Sequence, residues 1–578
     1  MGDPKQDVLD MLKELAELTT LEEGSPQSFR VRAYESAAQG IAAHPGDVSK
    51  LTAKELQEIE GVGKSTAEKI LDLFAGRPVE KLVKLRKKHP ASVVALMRIQ
   101  GLGPKAVQKL RAELGVQSIE DLKRVVAEKK VRELAGFGAK SEEKLAATLA
   151  RLEAQGSVGR TPISVALPLA RRIEARIREV PGVLHAQHCG SLRRFSETVG
   201  DIDVLVAATD AAAVMEAFLS MSIVDQVLAK GDTKSSIVTR RGTQVDVRVV
   251  EKHQLGAALL YFTGSKGHNI KLRQRALARG WTLNEYALSE LEGGKVVASE
   301  TEEEIYRALG LPWIPPVLRE DHGEIEAAEA GTLPKPIGKL IGDFHVHSTT
   351  SGDGLSPLED MVHAAKARGY AVLAMTEHAE GTVSGVKREV MLAQREKIKA
   401  LQKEVGKSLR ILHGAELNIG PHGELDWDPE FRRELDFCVA SIHDHFDLDR
   451  AAQTARVVKA MEDPSVRLIG HLTARMIGGR PPVDLDIDAI FDAAERTGTA
   501  LELNGSLPRL DVSVDILRRA KDRKVQFVLT SDAHQKDELE NVTYATSNAE
   551  RAGLDAKRVL NAASNGAKQL LAWATERP

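Results

Sequence analysis

CGSLRRFSETVGDIDVLV, residues 189–206, decides how this chain is read. Asp201 and Asp203 stand two apart in an apolar run, and on a strand that spacing puts both carboxylates on one face. Two bare carboxylates side by side repel each other, so such pairs hold a cation, and hard Mg²⁺ suits oxygen ligands. A third acid, Asp246 in QVDVRVV, is also flanked by apolar residues. Three acids can bridge two metals, one activating an attacking oxygen and one stabilising a leaving phosphate. Upstream, Gly190 and Ser191 form a small turn that lets a triphosphate approach the backbone, and Arg194 would neutralise it. A lone Asp-x-Asp is often just an exposed strand or turn. The Gly-Ser turn, the Arg193–Arg194 pair and Asp246 together argue against that.

Outward from this motif the chain divides. A helix, VALPLARRIEARIREV, and apolar runs such as VLHAQHCGS, SSIVTRR and TQVDVRVV surround it, reading as an α+β domain. Residues 151–163 look like a hinge before it. Residues 320–340 are polar, Ala/Glu-rich and Pro-punctuated, hence a linker after it. Residues 1–150 read as helices with three Gly-x-Gly turns: Gly61/Gly63, Gly101/Gly103 and Gly136/Gly138, spaced 40 and 35 apart. Each turn opens an amphipathic helix with a lysine in its first turn: Lys64, Lys105 and Lys140. Free N–H groups at such a helix start bind phosphate without reading sequence. GVGKST is not a nucleotide loop, because that motif needs glycine where Glu58 stands.

The C-terminal part alternates short apolar strands with helices, and the strands end in ligand-like residues. His345 and His347 are two apart, so on one strand face. His378, Glu416, His443, His471, Asp532 and His534 follow at later strand ends. Eleven of 17 histidines lie after residue 320. One such histidine is ordinary; six beside acids suit Zn²⁺, Mn²⁺ or Fe²⁺ and phosphoester hydrolysis. Chemistry at the C-terminal ends of β–α units predicts a barrel-like fold. His413, His422 and His445 read as surface or packing residues.

Length and composition agree with this division. At roughly 100–200 residues per domain, 578 residues make three or four domains. Hydrophobic residues, at 42%, suffice for cores, and 4% aromatics leave those cores to Leu, Val, Ile and Ala. The net charge of −3 hides a gradient: +4 over 1–160, +1 over 161–320 and −8 thereafter. No run of 18 apolar residues and no signal-peptide core occurs, so no membrane span is predicted. Cys189 and Cys438 stand far apart, excluding a disulfide scaffold and pointing to a reducing cytoplasm.

GSLRRFSETVGDIDVLV, VDVRVV and YFTGSKGHN…R…NEY resemble the nucleotidyltransferase core of family X DNA polymerases over about residues 1–320, and the glycine turns resemble helix-hairpin-helix motifs. The histidine cluster resembles the PHP (polymerase and histidinol phosphatase) domain over about 341–570. The resemblance implies a multidomain α plus α+β plus α/β protein. Its parts would be a helical DNA-binding domain (1–90), a fingers-like domain (91–155), a nucleotidyltransferase palm (156–245), the end of the palm with a thumb (246–320), a linker (321–340) and a distorted (β/α)₇ PHP barrel (341–578).

It also implies site residues. Asp201, Asp203 and Asp246 would bind two Mg²⁺ or Mn²⁺ ions; Gly190, Ser191, Arg194 and Gly200 would contact the triphosphate. Tyr261, Phe262, Gly264 and Asn269 would line the nucleotide pocket, with Arg273 on the template side. Lys69 aligns with the Schiff-base lysine of lyase relatives; the plainer reading is a phosphate contact. The barrel would bind up to three Zn²⁺, Mn²⁺ or Fe²⁺ ions. The chain departs from the pattern at Phe195 (usually small), at Lys266 (an acid in some relatives) and at Glu377 (usually aspartate). Gly352 also takes the ninth ligand's place, with Asp353 one residue later. Expected partners are gapped or nicked DNA and dNTPs, with the protein a monomer. The expected activity is gap filling in base-excision repair with a 3′-5′ exonuclease, and at abasic sites an endonuclease. The alternatives are a nucleotidyltransferase on another substrate and a DNA-binding scaffold with an inactive PHP domain.

Overall fold

Amphipathic spacing builds the N-terminal region helix by helix. The computed structural model describes residues 4–44, 48–97, 99, 102–154 and 160–576. Helix Pro4–Glu23 buries Val8, Met11, Leu12, Leu15 and Leu18, a stripe at helical spacing that packs on helix Phe29–Ala43. Ser28 caps that second helix by accepting from the Val31 N–H, and Thr52 with Glu55 forms a capping box on helix Ala53–Glu58.

The glycine turns share one geometry. Ile59 accepts from the Val62 N–H at 3.0 Å, Ile99 from Leu102 at 3.0 Å and Leu134 from Phe137 at 2.9 Å. The residue between the glycines plugs the core in the first two turns (Val62, Leu102) and half-buries in the third (Phe137). Gly63 and Gly103 then serve as N-caps of helices Lys64–Phe74 and Pro104–Leu114, and Gly138 precedes helix Ala139–Ala154. Gly61 and Gly136 have φ of +78° and +88°, where a side chain would be strained. Gly101 lies outside the described residues.

A five-stranded sheet follows, in the order Val183–His188, Asp201–Ala208, Gln244–Val250, Lys234–Thr239, Val224–Lys230. Only Asp201–Ala208 and Gln244–Val250 pair in parallel. Helix Ile163–Arg178 packs on this sheet through Ala166, Ala170, Ile173 and Ile177. The strand carrying Asp246 runs from 244 to 250, so the division expected after residue 245 falls inside it. The segment expected as a hinge, 151–163, starts inside helix Ala139–Ala154 and runs through strand Thr161–Pro162, which pairs with Thr198–Val199, to the first residue of helix Ile163–Arg178; its middle, 155–159, lies outside the described residues. Beyond helices Leu255–Thr263 and Lys266–Leu277 stands a small antiparallel sheet of 281–283, 288–290 and 296–298.

Backbone contacts divide the chain into one unit of 1–313 with 478–481 and another of 314–477 with 482–578. The segment expected as a linker, 321–340, belongs to the second unit. It forms helix Glu324–Glu329 and buries Ile325, Ile337 and Leu340. Apolar residues among its polar ones explain the difference.

The second unit is a seven-stranded parallel sheet in simple sequence order, from Gly342–Asp343 to Phe527–Thr530. It closes where Val346 bridges Ala533 and the His347 N–H donates to the Ala533 carbonyl at 2.8 Å. Alternation explains its interior. Val372 and Ala374 share strand parity with His378, and Leu412 shares it with Glu416. The early residues join Phe437, Val439, Ala500 and Val528 in an apolar core, which Leu570 and Ala574 of helix Ala567–Thr575 complete. The later residues of the same rows are the polar ones.

Candidate active sites

In the palm, register brings the acids together. Asp203 pairs with Asp246 across the parallel strands, and Asp201 sits two residues earlier on the same face. The turn before them is tied to the same strand, because the Cys189 N–H donates to the Asp203 carbonyl at 2.7 Å. Gly190 has φ +61°, and a Cβ there would lie 2.6 Å from Asp203 Oδ2, so the turn presses on the carboxylate only because this residue is glycine. Burial, with Asp201 and Asp246 alongside, pushes the Asp203 carboxyl up to about 6. That strain is what a bound divalent cation would relieve, and three oxygen donors suit Mg²⁺ or Mn²⁺.

Around the acids, Ser191 lies in the short helix Gly190–Arg193, and Arg194 Nη1 donates to the Thr263 carbonyl at 2.5 Å. Gly264, where a Cβ would approach Arg194 Nη1 to 3.2 Å, stands beside that contact. Gly200 sits next to Arg160, whose guanidinium holds Thr198. Phe262 lies under the Arg248 guanidinium at 4.6 Å and lines a cleft with Cys189, Asp203, Lys234 and Asp246. Tyr261 is 39% exposed and packs edge-on against Phe262. Asn269 Nδ2 donates to the Tyr261 carbonyl at 2.8 Å, and Arg273 is exposed one turn further along. Lys234, 3.5 Å from Asp246 Oδ2, and Gln244, which donates to Asp246 Oδ1 at 3.0 Å, carry no motif signal of their own in the sequence. Strand pairing alone brings Lys234 there. Arg193 grips Glu302 with two bonds of 2.9 Å, a tie between residues 109 apart.

In the barrel, Glu416 is the hub. Its oxygens lie 3.2 Å from His345 Nε2, 2.8 Å from His378 Nδ1, 3.1 Å from His443 Nε2 and 2.9 Å from His471 Nε2. Asp532 Oδ1 lies 3.5 and 3.6 Å from His345 and His347. Four overlapping sets have ligand atoms within 4.8 Å of one another: His347/His378/His534, His345/His347/Asp532, His345/Glu416/His471 and His378/Glu416/His443. The strand expected to carry His345 and His347 ends at Asp343; both histidines sit in the irregular backbone beyond it, their rings 5.2 Å apart. Asp353, one residue after the expected ligand position, reaches the cluster: its Oδ2 lies 3.2 Å from His378 Nε2 and 3.6 Å from His534 Nε2.

These residues fit metal ions. His345 Nε2, both nitrogens of His347 and both of His443 are buried without hydrogen-bond partners, a costly arrangement for protein alone. Despite burial, the surrounding imidazoles hold Glu416 and Asp532 well below the usual carboxylate range. An imidazole and carboxylate donor set suits Zn²⁺, Mn²⁺ or Fe²⁺. Glu502 orients His345 through a 2.6 Å bond to Nδ1 and also holds Thr530. Arg509 Nε is 3.4 Å from Asp532 Oδ2, and Asn504 donates to the same oxygen at 3.0 Å. His413 packs apart from the cluster, buried beside Arg395 and Asp436, and His445 is exposed beside Asp444.

In the helical region, Lys64, Lys105 and Lys140 are all exposed at the starts of their helices. Lys69 donates to the Ser65 carbonyl and hydroxyl and lies in a cleft with Lys81 and Lys84. Burial, with Lys81 nearby, lowers its ammonium below the ordinary lysine value.

An acid triad on a mixed sheet and a histidine–carboxylate barrel define a nucleotidyltransferase joined to a metallophosphoesterase. Family models agree segment by segment: a helix-hairpin-helix domain at 3–76, a SAM-like helix-hairpin-helix tandem at 93–151, DNA polymerase beta palm at 160–256, DNA polymerase beta thumb at 258–320 and PHP domain at 343–506. The chain is 36% identical over 568 residues to the DNA polymerase/3′-5′ exonuclease PolX of Bacillus subtilis, covering 97% of this chain and 98% of that one. It is 26% identical to DNA polymerase lambda of Rattus norvegicus over 50% of this chain and 52% of that one. A Vibrio cholerae protein named as a probable phosphatase matches at 26% over 38% of this chain and 89% of its own. The chain belongs to the family X DNA polymerases that carry a C-terminal PHP domain. Among the described residues no helix is long and apolar enough to cross a membrane.

Proposed function

We propose that this chain is a DNA-directed DNA polymerase that fills short gaps in DNA repair, paired with a barrel that degrades DNA 3′ to 5′. The observation that carries the reading is the register placing Asp203 opposite Asp246 beside the Gly190–Ser191 turn. Its substrates are gapped or nicked DNA and dNTPs, and it works as a monomer in the cytoplasm. Two Mg²⁺ or Mn²⁺ ions in the palm would activate the primer hydroxyl and stabilise the leaving pyrophosphate, and up to three Zn²⁺, Mn²⁺ or Fe²⁺ ions in the barrel would supply hydroxide and clamp a phosphate.

The chain's own groups do the rest. Backbone N–H groups at Gly63, Gly103 and Gly138, with Lys64, Lys105 and Lys140, grip the phosphate backbone. Ser191 and Arg194 orient the triphosphate, with Gly190 and Gly200 allowing close approach. Tyr261, Phe262, Gly264 and Asn269 shape the nucleotide pocket, and Arg273 meets the template. In the barrel, His345, His347, Asp353, His378, Glu416, His443, His471, Asp532 and His534 are the ligands, and Arg509 steadies the scissile phosphate. The same site cuts at abasic positions. A second reading for the N-terminal region rests on the lowered Lys69 ammonium in its cleft: an amine that attacks a 5′-deoxyribose phosphate as a Schiff-base lyase. Borohydride trapping on a 5′-deoxyribose phosphate end tests it: a crosslink that Lys69→Ala removes supports it, and none in the intact protein refutes it.

The main test uses a one-nucleotide-gapped duplex with a labelled primer in Mn²⁺, with and without dNTPs. Extension that Asp246→Ala abolishes supports the polymerase. Shortening that survives Asp246→Ala but not His347→Ala assigns the nuclease to the barrel. Binding without turnover would favour a DNA-binding scaffold. Extension of RNA alone would favour another nucleotidyltransferase, and release of phosphate from small monoesters alone would favour a phosphatase barrel.

A further inference from the structure

One buried carboxylate beside the barrel cluster belongs to none of the four candidate ligand sets. Glu377 precedes His378 on strand Val372–His378 and is fully buried. Strand alternation turns its side chain away from the side that His378 serves. Its two oxygens accept five hydrogen bonds. Oε1 takes Ser348 Oγ at 2.5 Å and Gln394 Nε2 at 2.6 Å. Oε2 takes the Ser348 N–H at 3.1 Å, the Ser351 N–H at 3.2 Å and Ser351 Oγ at 2.6 Å. Ser351 Oγ in turn accepts from the His378 N–H at 3.1 Å, closing the network onto the ligand strand.

Four of the five bonds hold the loop that carries Asp353. The loop turns tightly after them. The Gly354 N–H donates to the Ser351 carbonyl at 3.2 Å, and a Cβ on Gly354 would lie 1.8 Å from the Ser348 carbonyl oxygen. The Gly352 N–H is held by the Ser384 carbonyl at 3.0 Å. Between these two fixed glycines, Asp353 points at His378 and His534.

We propose that Glu377 is a positioning residue. By gathering Ser348 and Ser351 it sets the loop so that Asp353, and not position 352, completes the metal position of His347, His378 and His534. The inference rests on the reading of Asp353 as a ligand. Hydrogen-bond reach matters here more than charge. Glutamine at 377 keeps the length, and its amide nitrogen can face Gln394, which can turn its own amide over, while Ser348 Oγ donates to Thr350 Oγ1, 3.0 Å away. Aspartate pulls both oxygens back by one methylene and loses the loop.

The test titrates Mn²⁺ into metal-stripped full-length protein by calorimetry, with gap filling as the check on folding of the other unit and a melting curve as the check on the barrel. Outer partners of metal ligands typically govern about 10–100-fold in metal affinity. Glu377→Ala and Asp353→Ala should each weaken one Mn²⁺ site by about that factor, the double variant no further, and Glu377→Gln should bind as the parent does. Exonuclease activity should follow the same order. Wild-type Mn²⁺ affinity in Glu377→Ala, or losses that add in the double variant, would overturn the proposal. If Asp353→Ala binds Mn²⁺ normally, the ligand reading itself falls. Should Glu377→Ala fail to melt cooperatively, Glu377→Asp against Glu377→Gln decides: weakening in aspartate alone supports the proposal, and equal behaviour refutes it.

Discussion

Replacing Asp203 by Asn should make the metal-free protein more stable while ending DNA synthesis. Burial and the two neighbouring carboxylates raise the Asp203 carboxyl from 3.8 to about 6. Each unit of that rise is worth about 1.4 kcal/mol, so ionised Asp203 costs the folded state about 3 kcal/mol. The sign follows from the direction. The folded value lies above the unfolded one, so the cost is full above pH 6, shrinks as pH falls toward 3.8 and disappears below it. Asp203→Asn removes the charge and keeps the shape. In EDTA at pH 8 it should gain about 3 kcal/mol, which for the unit of residues 1–313, at about 2.1 cal/mol/K per residue, is a rise of about 5 °C in melting temperature. At pH 4.5 the gain should shrink to about 1 kcal/mol. Differential scanning calorimetry of both proteins at the two pH values measures this. Equal gains at both values, or none at pH 8, would refute the argument that the acid triad is built under electrostatic strain.

Gly190→Ala should abolish extension and leave 3′-5′ degradation intact, because its Cβ would sit 2.6 Å from Asp203 Oδ2 at a φ of +61°; primer assays in both modes check it. Exchanging Lys64, Lys105 and Lys140 for Glu should weaken binding to gapped DNA and flatten its salt dependence by about 0.9 in log–log slope per lost phosphate contact, read by anisotropy across salt. Phe437→Ala, emptying a side chain only 1% exposed among Phe344, Trp573 and Val439, should cost the barrel about 3–5 kcal/mol in urea unfolding.

Much of both sites was legible from local pattern because strands alternate. Asp201 and Asp203 had to share a face, and a polar residue ending an apolar strand had to sit above that strand's core residues, as His378 does above Val372 and Ala374. The paired Ile59/Val62, Ile99/Leu102 and Leu134/Phe137 turns were equally readable, since each repeats one short pattern. Strand Val224–Lys230 carries no such signal in the sequence: it is a mostly exposed edge strand, so no buried face marks it. Residues 321–340 read as a linker from their polar composition, yet Ile337 and Leu340 are buried in the second unit.

The sequence by itself thus determined the repeat of glycine turns, the acid pair and the chemistry of the strand ends, because each is set by neighbours a few residues away. Only the tertiary structure decided which distant groups meet. Strand pairing brings Lys234 to Asp246, barrel closure brings Asp532 and His534 to His347, and a buried glutamate reaching Ser348 and Ser351 brings Asp353 to His378. Those contacts join residues from 12 to 187 positions apart. No local periodicity encodes them, since they arise only when strands align and the barrel shuts.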